Sequence, residues 1–357
     1  MTQEWLNRIA LTWALRNRQK YARALLDQFG CATEVIVHNP DIVNKEAFLR
    51  AEQEVQFVEQ HKIKTHFYQD STYPYRLAQC VDAPLLLYSK GNMEVNPKHA
   101  ISIVGTRMPS ERGREWCRNF VLDIASKIPN ATIISGLAYG IDIAAHKAAL
   151  EAGLSTIIIP AHGLDRIYPS VHRNVAIAAL EKGGILTEYM HGTEPERFQF
   201  VARNRIIAGM ADAVVVVESK LKGGSLITAQ MAQDYSRDVF ALPGRYNDSL
   251  SEGCNRLIQS NRAQLIAHAE DLITAMQWQI DQKQPVQTVM VNVKHDLTDR
   301  QQHLFNKLHE QEDGWHVNQL VIETQLPYSD IVAELMVLEI NGLVRGLPGG
   351  IWRCVER

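Results

Sequence analysis

Six short runs of β-branched and apolar residues, separated by helical patterns, constrain the fold of this 357-residue chain more than any other feature. They are Ile101-Ser102-Ile103-Val104, Thr132-Ile133-Ile134, Thr156 to Ile159, Ile185-Leu186-Thr187, Ala213 to Val217, and Val239 to Leu242. None alternates apolar with polar as a half-solvated strand does. Strands without a polar face must be covered on both sides, and strands alternating with helices form parallel sheets. We therefore read residues 81–278 as an extended Rossmann-like α/β domain.

The flanks read differently. Residues 1–80 form a helical module: Leu6, Ile9, Ala10 and Trp13 recur at helical spacing, as do Ala22, Leu25 and Leu26, and Gly30 is a helix stop. Residues 279–295, with Gln282-Lys283-Gln284-Pro285, read as a linker. In 296–357, Thr298-Asp299-Arg300-Gln301 is a capping box opening a helix. Two more helical patterns follow, then Asn341-Gly342 and two short strands around Pro348-Gly349-Gly350, which is the order of a winged-helix-like module. A net charge of −3 excludes a coat of basic residues, so any polyanion contact must come from a local patch. The five cysteines are scattered without metal or redox spacing, as in a reduced compartment. No run approaches the ~20 apolar residues of a membrane span and no leader is evident, so the expected location is the cytoplasm, away from membranes.

Glycine, hydroxyl and basic residues gather just beyond the strands: Gly105-Thr106-Arg107, Ser135-Gly136 to Asp142, Ala161-His162-Gly163, Lys220 to Ser225, and Pro243-Gly244-Arg245. In open α/β sheets the carboxyl edge is where ligands bind. A glycine turn lets backbone N–H groups approach a phosphate, and the following helix adds unpaired donors and a positive dipole end. Gly223-Gly224-Ser225 opens a helix in this way beside Lys220 and Lys222, and Gly136 to Gly140 does so after the second strand. Arg203 and Arg205, two apart on a helix, point to different sides. Either both serve the ligand, or one pairs with a carboxylate such as Glu188.

A catalytic set does not emerge. Asp142 and His146 share a helix face and could do acid–base work or bind a metal. A helix-capping Asp followed by a surface or interface His is the preferred reading. No HExxH, Walker A or GxSxG pattern occurs. No catalytic residue, metal site or cofactor is assigned.

Gly105-Thr106-Arg107 with Ser110, Ser135 to Asp142, Gly163 to Pro169, Phe200 with Arg203 to Ala208, Gly223 to Ala229, Arg237 to Gly244 and Gly253 to Ile258 resemble the ordered signature motifs of the DprA/Smf (DNA-processing protein A) family. The resemblance spans about residues 70–278 and the C-terminal module. It implies a Rossmann-like protein that is not an enzyme, dimerises, binds single-stranded DNA, protects incoming DNA in natural transformation and loads the RecA recombinase. The implied backbone contacts are Arg107, Ser110, Gly140, Lys220 and Lys222, with Arg173 after Tyr168-Pro169. Arg203, Arg205, Gly224 and Ser225 complete the candidate DNA-binding set. Leu257 and Ile258 are candidates for a homodimer contact; the alternative is that they face their own core. The N-terminal module resembles a degenerate helix-hairpin-helix (SAM-like) unit lacking the Gly-x-Gly hairpin that grips phosphate. The third helix of the C-terminal module carries Asp330, Glu334 and Glu339, which suits a protein contact or regulation better than a DNA groove. The runner-up is a nucleotide-processing enzyme of the lysine-decarboxylase-like Rossmann superfamily, but the helix from Gly223 to Gln230 lacks the glutamate of the PGGxGTxxE motif.

Overall fold

A computed structural model of the chain describes residues 2–279, 297–311, 314–347 and 349–354. Most of the expected linker (280–295) and Pro348 lie outside the described residues. The described chain divides into two compact units, 1–282 and 283–357.

In the first unit, nine strands form one sheet among the described residues: β1 (Lys64–Phe67), β2 (Leu86–Gly91), β3 (His99–Gly105), β4 (Ala131–Ser135), β5 (Ser155–Ile158), β6 (Gly184–Thr187), β7 (Ala213–Val217), β8 (Asp238–Ala241) and β9 (Gln264–Leu265). Their order is β1-β2-β6-β5-β4-β3-β7-β8-β9. β3 to β9 pair in parallel, while β1 and β2 add an antiparallel edge.

Alternate residues of each central strand enter opposite cores, which explains the uninterrupted apolar runs. Ile101, Ile103, Val215 and Val217 pack under the helices Glu111–Lys127 and Ile141–Glu151. Ala100, Val104, Val214 and Val216 face the helices Arg197–Met210 and Gly224–Asp234. Each such side chain is almost fully buried, and each Val and Ile among them contributes about 1.5–3 kcal/mol. Ser102, the polar exception in β3, is buried with its hydroxyl donating to the carbonyl of Ile207 (2.7 Å).

The N-terminal helices Gln3–Ala14, Gln19–Phe29, Ala32–His38 and Lys45–Gln60 do not stand apart. Ile9, Leu26, Val35 and Val58 share a core with Phe67, Leu86 and Tyr88 of β1 and β2. The sheet thus begins inside the segment read as helical. Lys64-Thr65-His66-Phe67 is a short, mostly polar edge strand with little apolar signal.

The second unit has helices Asp299–Leu308, Val317–Thr324 and Tyr328–Ile340 with strands β10 (Trp315–His316), β11 (Val344–Leu347) and β12 (Ile351–Cys354), ordered β10-β12-β11. The expected capping box is present: Thr298 Oγ1 accepts from Gln301 N (3.3 Å), and Gln301 Oε1 from Thr298 N (3.0 Å). Leu304, Leu320, Ile331, Leu335 and Val344 form its own core. Among the described residues no helix is long and apolar enough to cross a membrane.

Candidate functional site

From β3 the chain builds the sheet outward through β4, β5 and β6, then returns to lay β7 on the other side of β3. The crossover leaves a crevice at the carboxyl ends of β3 and β7, where ligands of open α/β sheets bind. A cleft of about 290 Å³ occupies it. Arg107 follows β3, Lys220 and Lys222 follow β7, and the helix Arg197–Met210 supplies Phe200 and Arg203.

The cleft is cationic. Arg107, Lys220 and Lys222 are exposed and form no ion pair among the described residues. The Arg107 guanidinium lies 5.4 Å from the centre of the Phe200 ring. Arg203 is 3% exposed and donates to the carbonyls of Gly136 (2.8 Å) and Ile159. Burial lowers its pKa to about 10, so it stays charged at neutral pH. Asp142, the carboxylate that lines the cleft, accepts from Ala138 N (3.3 Å), and burial raises its pKa. The helix Gly224–Asp234 starts at the wall, and its N-cap Gly223 offers no side chain to the first N–H groups. A Cβ at Gly224 would meet nothing within 4 Å, so that backbone is open to a ligand. Ser225 Oγ donates to Ser219 Oγ (2.9 Å) below it.

Four of the DNA-binding candidates do not line the cleft as phosphate contacts would. Ser110 caps the helix Glu111–Lys127, accepting from Gly113 N (3.0 Å), and donates its hydroxyl to Glu218. Gly140 (φ +83°) lies against the chain after β3, where a Cβ would sit 2.2 Å from Thr106 O. It fixes one loop on another. Arg173 is exposed at the start of the helix Arg173–Lys182. Arg205, partly buried, is ion-paired with Glu188, the alternative left open by the sequence. Leu257, a dimer candidate, is 4% exposed and belongs to the domain's own core. Ile258 beside it is half-buried against the same core. His146 is neither on the surface nor at an interface. It is fully buried, its Nδ1 2.7 Å from Thr156 Oγ1, whose hydroxyl donates to Ile133 O. Burial lowers its pKa to about 3. Among the described residues no group of three or more His, Cys, Asp or Glu could hold a metal.

Thr106, Asn204 and Thr228, which lie within the quoted motifs but were not among the candidates, also line the cleft, as does Ser219, which the sequence reading missed. It also missed Glu218, which has φ 53° and is 6% exposed. Its carboxylate accepts from the N–H of Ser110 (2.8 Å) and from the Ser110 hydroxyl, and its carbonyl from Thr106 N (2.9 Å). Glu218 thus ties the loop carrying Arg107 to the one carrying Lys220. Large exposed side chains also sit on this edge: Tyr139 after β4, Tyr168 after β5, Phe198 in the first turn of its helix, and Tyr246 after β8.

Fold and site together define a Rossmann-like protein with a cationic cleft at its switch point. The family described as DNA recombination-mediator protein A matches residues 64–277, and the DprA winged helix domain matches 292–350. The chain belongs to the DNA recombination-mediator protein A (DprA/Smf) family, as its motifs indicated. It is 39% identical over 209 residues to the DNA processing protein DprA of Streptococcus pneumoniae, covering 58% of this chain and 73% of that one. It is 32% identical over 299 residues to the protein Smf of Escherichia coli, covering 79% and 75%. The X-ray structure of the S. pneumoniae DprA superposes with a TM-score of 0.58 at 36% identity, covering 65% of this chain and 82% of that one. A Helicobacter pylori DprA structure, described for its single-stranded DNA binding mode, superposes with a TM-score of 0.54 at 30% identity, covering 60% and 96%.

Proposed function

We propose that the cleft holds the phosphate backbone of single-stranded DNA. The observation that carries this is the set of exposed cations, Arg107, Lys220 and Lys222, with no carboxylate partner among the described residues, around a buried guanidinium and an uncapped helix start. Such charges do not hold the fold together, and they converge on one crevice. The single-stranded DNA binding of the H. pylori relative supports the same ligand. Tyr139, Tyr168, Phe198 and Tyr246 offer exposed rings on which unpaired bases can stack, which duplex DNA cannot use.

On this reading the protein is a cytoplasmic, non-enzymatic binder that protects incoming strands during natural transformation and hands them to RecA. It works as a homodimer. The edge strand β9 exposes Leu265, and Ile258 lies on the preceding helix; with Leu257 turned inward, the contact rests on these two. The helix from Gly223 to Gln230 has no acid for nucleotide hydrolysis.

The test is a salt series on point variants. Arg107→Ala and Lys220→Ala should each weaken binding to all sequences alike and lower the slope of log K against log salt by about 0.7, the single-strand value per phosphate. Folded variants with unchanged slopes would show that neither side chain meets phosphate.

A further inference from the structure

Between Trp5 and Leu26 the chain carries Arg8, Arg16, Arg18, Lys20 and Arg23 but no Asp or Glu, in a protein of net charge −3. Two of these cations are used by the fold. Arg8 pairs with Glu4 (3.0 Å) and Asp70 (2.9 Å). Arg23 donates to Cys80 O (2.8 Å) and to the Tyr68 hydroxyl (2.7 Å). Arg16, Arg18 and Lys20 remain. They stand exposed where the helix Gln3–Ala14 turns into the helix Gln19–Phe29, with no ion pair among the described residues.

Three like charges on one turn repel each other; Arg16 donates to the Trp13 carbonyl (2.8 Å), but among the described residues no carboxylate neutralises any of the three. Aromatic groups are interleaved with them: the Arg16 guanidinium lies over the Trp13 ring at 4.3 Å, and Tyr21 is 47% exposed. Uncompensated cations among aromatic faces fit a single-stranded nucleic acid.

The turn is fastened to the same edge of the sheet as the cleft. Gln19 Oε1 accepts from the N–H of Leu85, the residue before β2 (3.1 Å). β2 runs antiparallel to β6, with Tyr88 opposite Thr187, so β2 begins beyond the carboxyl end of β6. In the order β2-β6-β5-β4-β3, four strand spacings of about 4.8 Å, or roughly 20 Å, separate β2 from the cleft strand β3.

We propose that Arg16, Arg18 and Lys20 form a second backbone contact for a single strand whose other part is seated in the cleft. The missing Gly-x-Gly hairpin is replaced here by side-chain charge. The inference rests on the cleft reading. The second contact adds affinity through effective concentration, so it acts only on strands long enough to reach both.

The experiment compares the full-length wild type with the triple variant Arg16→Gln, Arg18→Gln, Lys20→Gln, on oligothymidylates of about six and about thirty nucleotides across a salt series. Circular dichroism confirms that the variant is folded. Binding of the short strand should be unchanged. The long strand should bind at least tenfold more weakly, with a salt slope lower by about 2, from three cations at about 0.7 each. As a second readout, Tyr21→benzoylphenylalanine should photo-cross-link the long strand but not the short one. Unchanged long-strand affinity and slope, or no cross-link, would overturn the turn contact. So would a variant that loses binding to phosphatidylserine vesicles while keeping the long strand, since the turn would then serve a lipid surface. If instead the wild type fails to bind the short strand, the cleft reading fails with it.

Discussion

Removing a carboxylate should weaken DNA binding without changing its salt dependence. Glu218 turns its carboxylate onto the loop after β3: its side chain accepts from the Ser110 N–H (2.8 Å) and hydroxyl, and its carbonyl accepts from Thr106 N (2.9 Å). Glu218→Ala removes the two side-chain bonds and leaves the main-chain one. Hydrogen bonds to a charged group contribute about 1.5–3 kcal/mol each. Ser110 is half-buried, so water replaces part of the loss, and about 2–3 kcal/mol of stability should go. That freed loop carries Arg107. Its ordering would then have to be supplied on binding, and a cost of about 1.4 kcal/mol, one decade in affinity, is a reasonable share. No cation is removed, so the slope of log K against log salt should not change. Thermal denaturation and fluorescence anisotropy with a labelled oligothymidylate at several salt concentrations measure both. A lower melting temperature, about tenfold weaker binding and an unchanged slope are expected. An unchanged affinity in a destabilised variant would refute the positioning argument, and a changed slope would mean that Glu218 alters the phosphate contacts themselves.

Other consequences concern the buried groups. Arg205→Met should leave the largely buried Glu188 without its partner and cost up to about 3 kcal/mol in chemical denaturation, while the salt slope of DNA binding stays the same, because Arg205 does not line the cleft. His146 has a folded pKa of about 3, below the ordinary 6.5. A base depressed in the folded state contributes stability that is fully present above pH 6.5 and lost as pH falls toward 3. The melting temperature should therefore fall below pH 6.5, and His146→Leu should make that fall shallower. An equally steep fall in the variant would assign the acid sensitivity to other groups.

How much of this was legible in the sequence depended on whether a feature is local. β3 to β8 were readable because a strand covered on both faces writes itself as a continuous apolar run. β1 and β10 were not, being two to four residues long and antiparallel, with polar residues interspersed. Arg107, Lys220 and Lys222 could be found because each lies two to five residues past a strand end, where the fold rule puts ligands. The different roles of Arg203 and Arg205 were not fixed by sequence. Two residues along a helix is enough to turn one guanidinium toward the cleft and the other onto Glu188, and only the packing of that helix decides which. Ser110 looked like a phosphate ligand because a hydroxyl beside a glycine turn suits either an anion or a helix start, and here the helix takes it. Leu257 and Ile258 differ in burial although adjacent, a matter of helix rotation that composition cannot give. Glu218 was missed because an acid ending the run Ala213 to Val217 reads as a solvated strand terminus.

The most direct test of the central claim is the affinity of the full-length protein for one sequence in single- and double-stranded form across a salt series, repeated with Arg107→Ala, Lys220→Ala, Lys222→Ala combined. The account predicts single strands bound at least tenfold more tightly than duplex, and a slope for a short strand that is smaller in the triple variant by about 2.1, from Arg107, Lys220 and Lys222 at about 0.7 each. Duplex bound as tightly as the single strand, or a triple variant that binds with the wild-type slope, would contradict it.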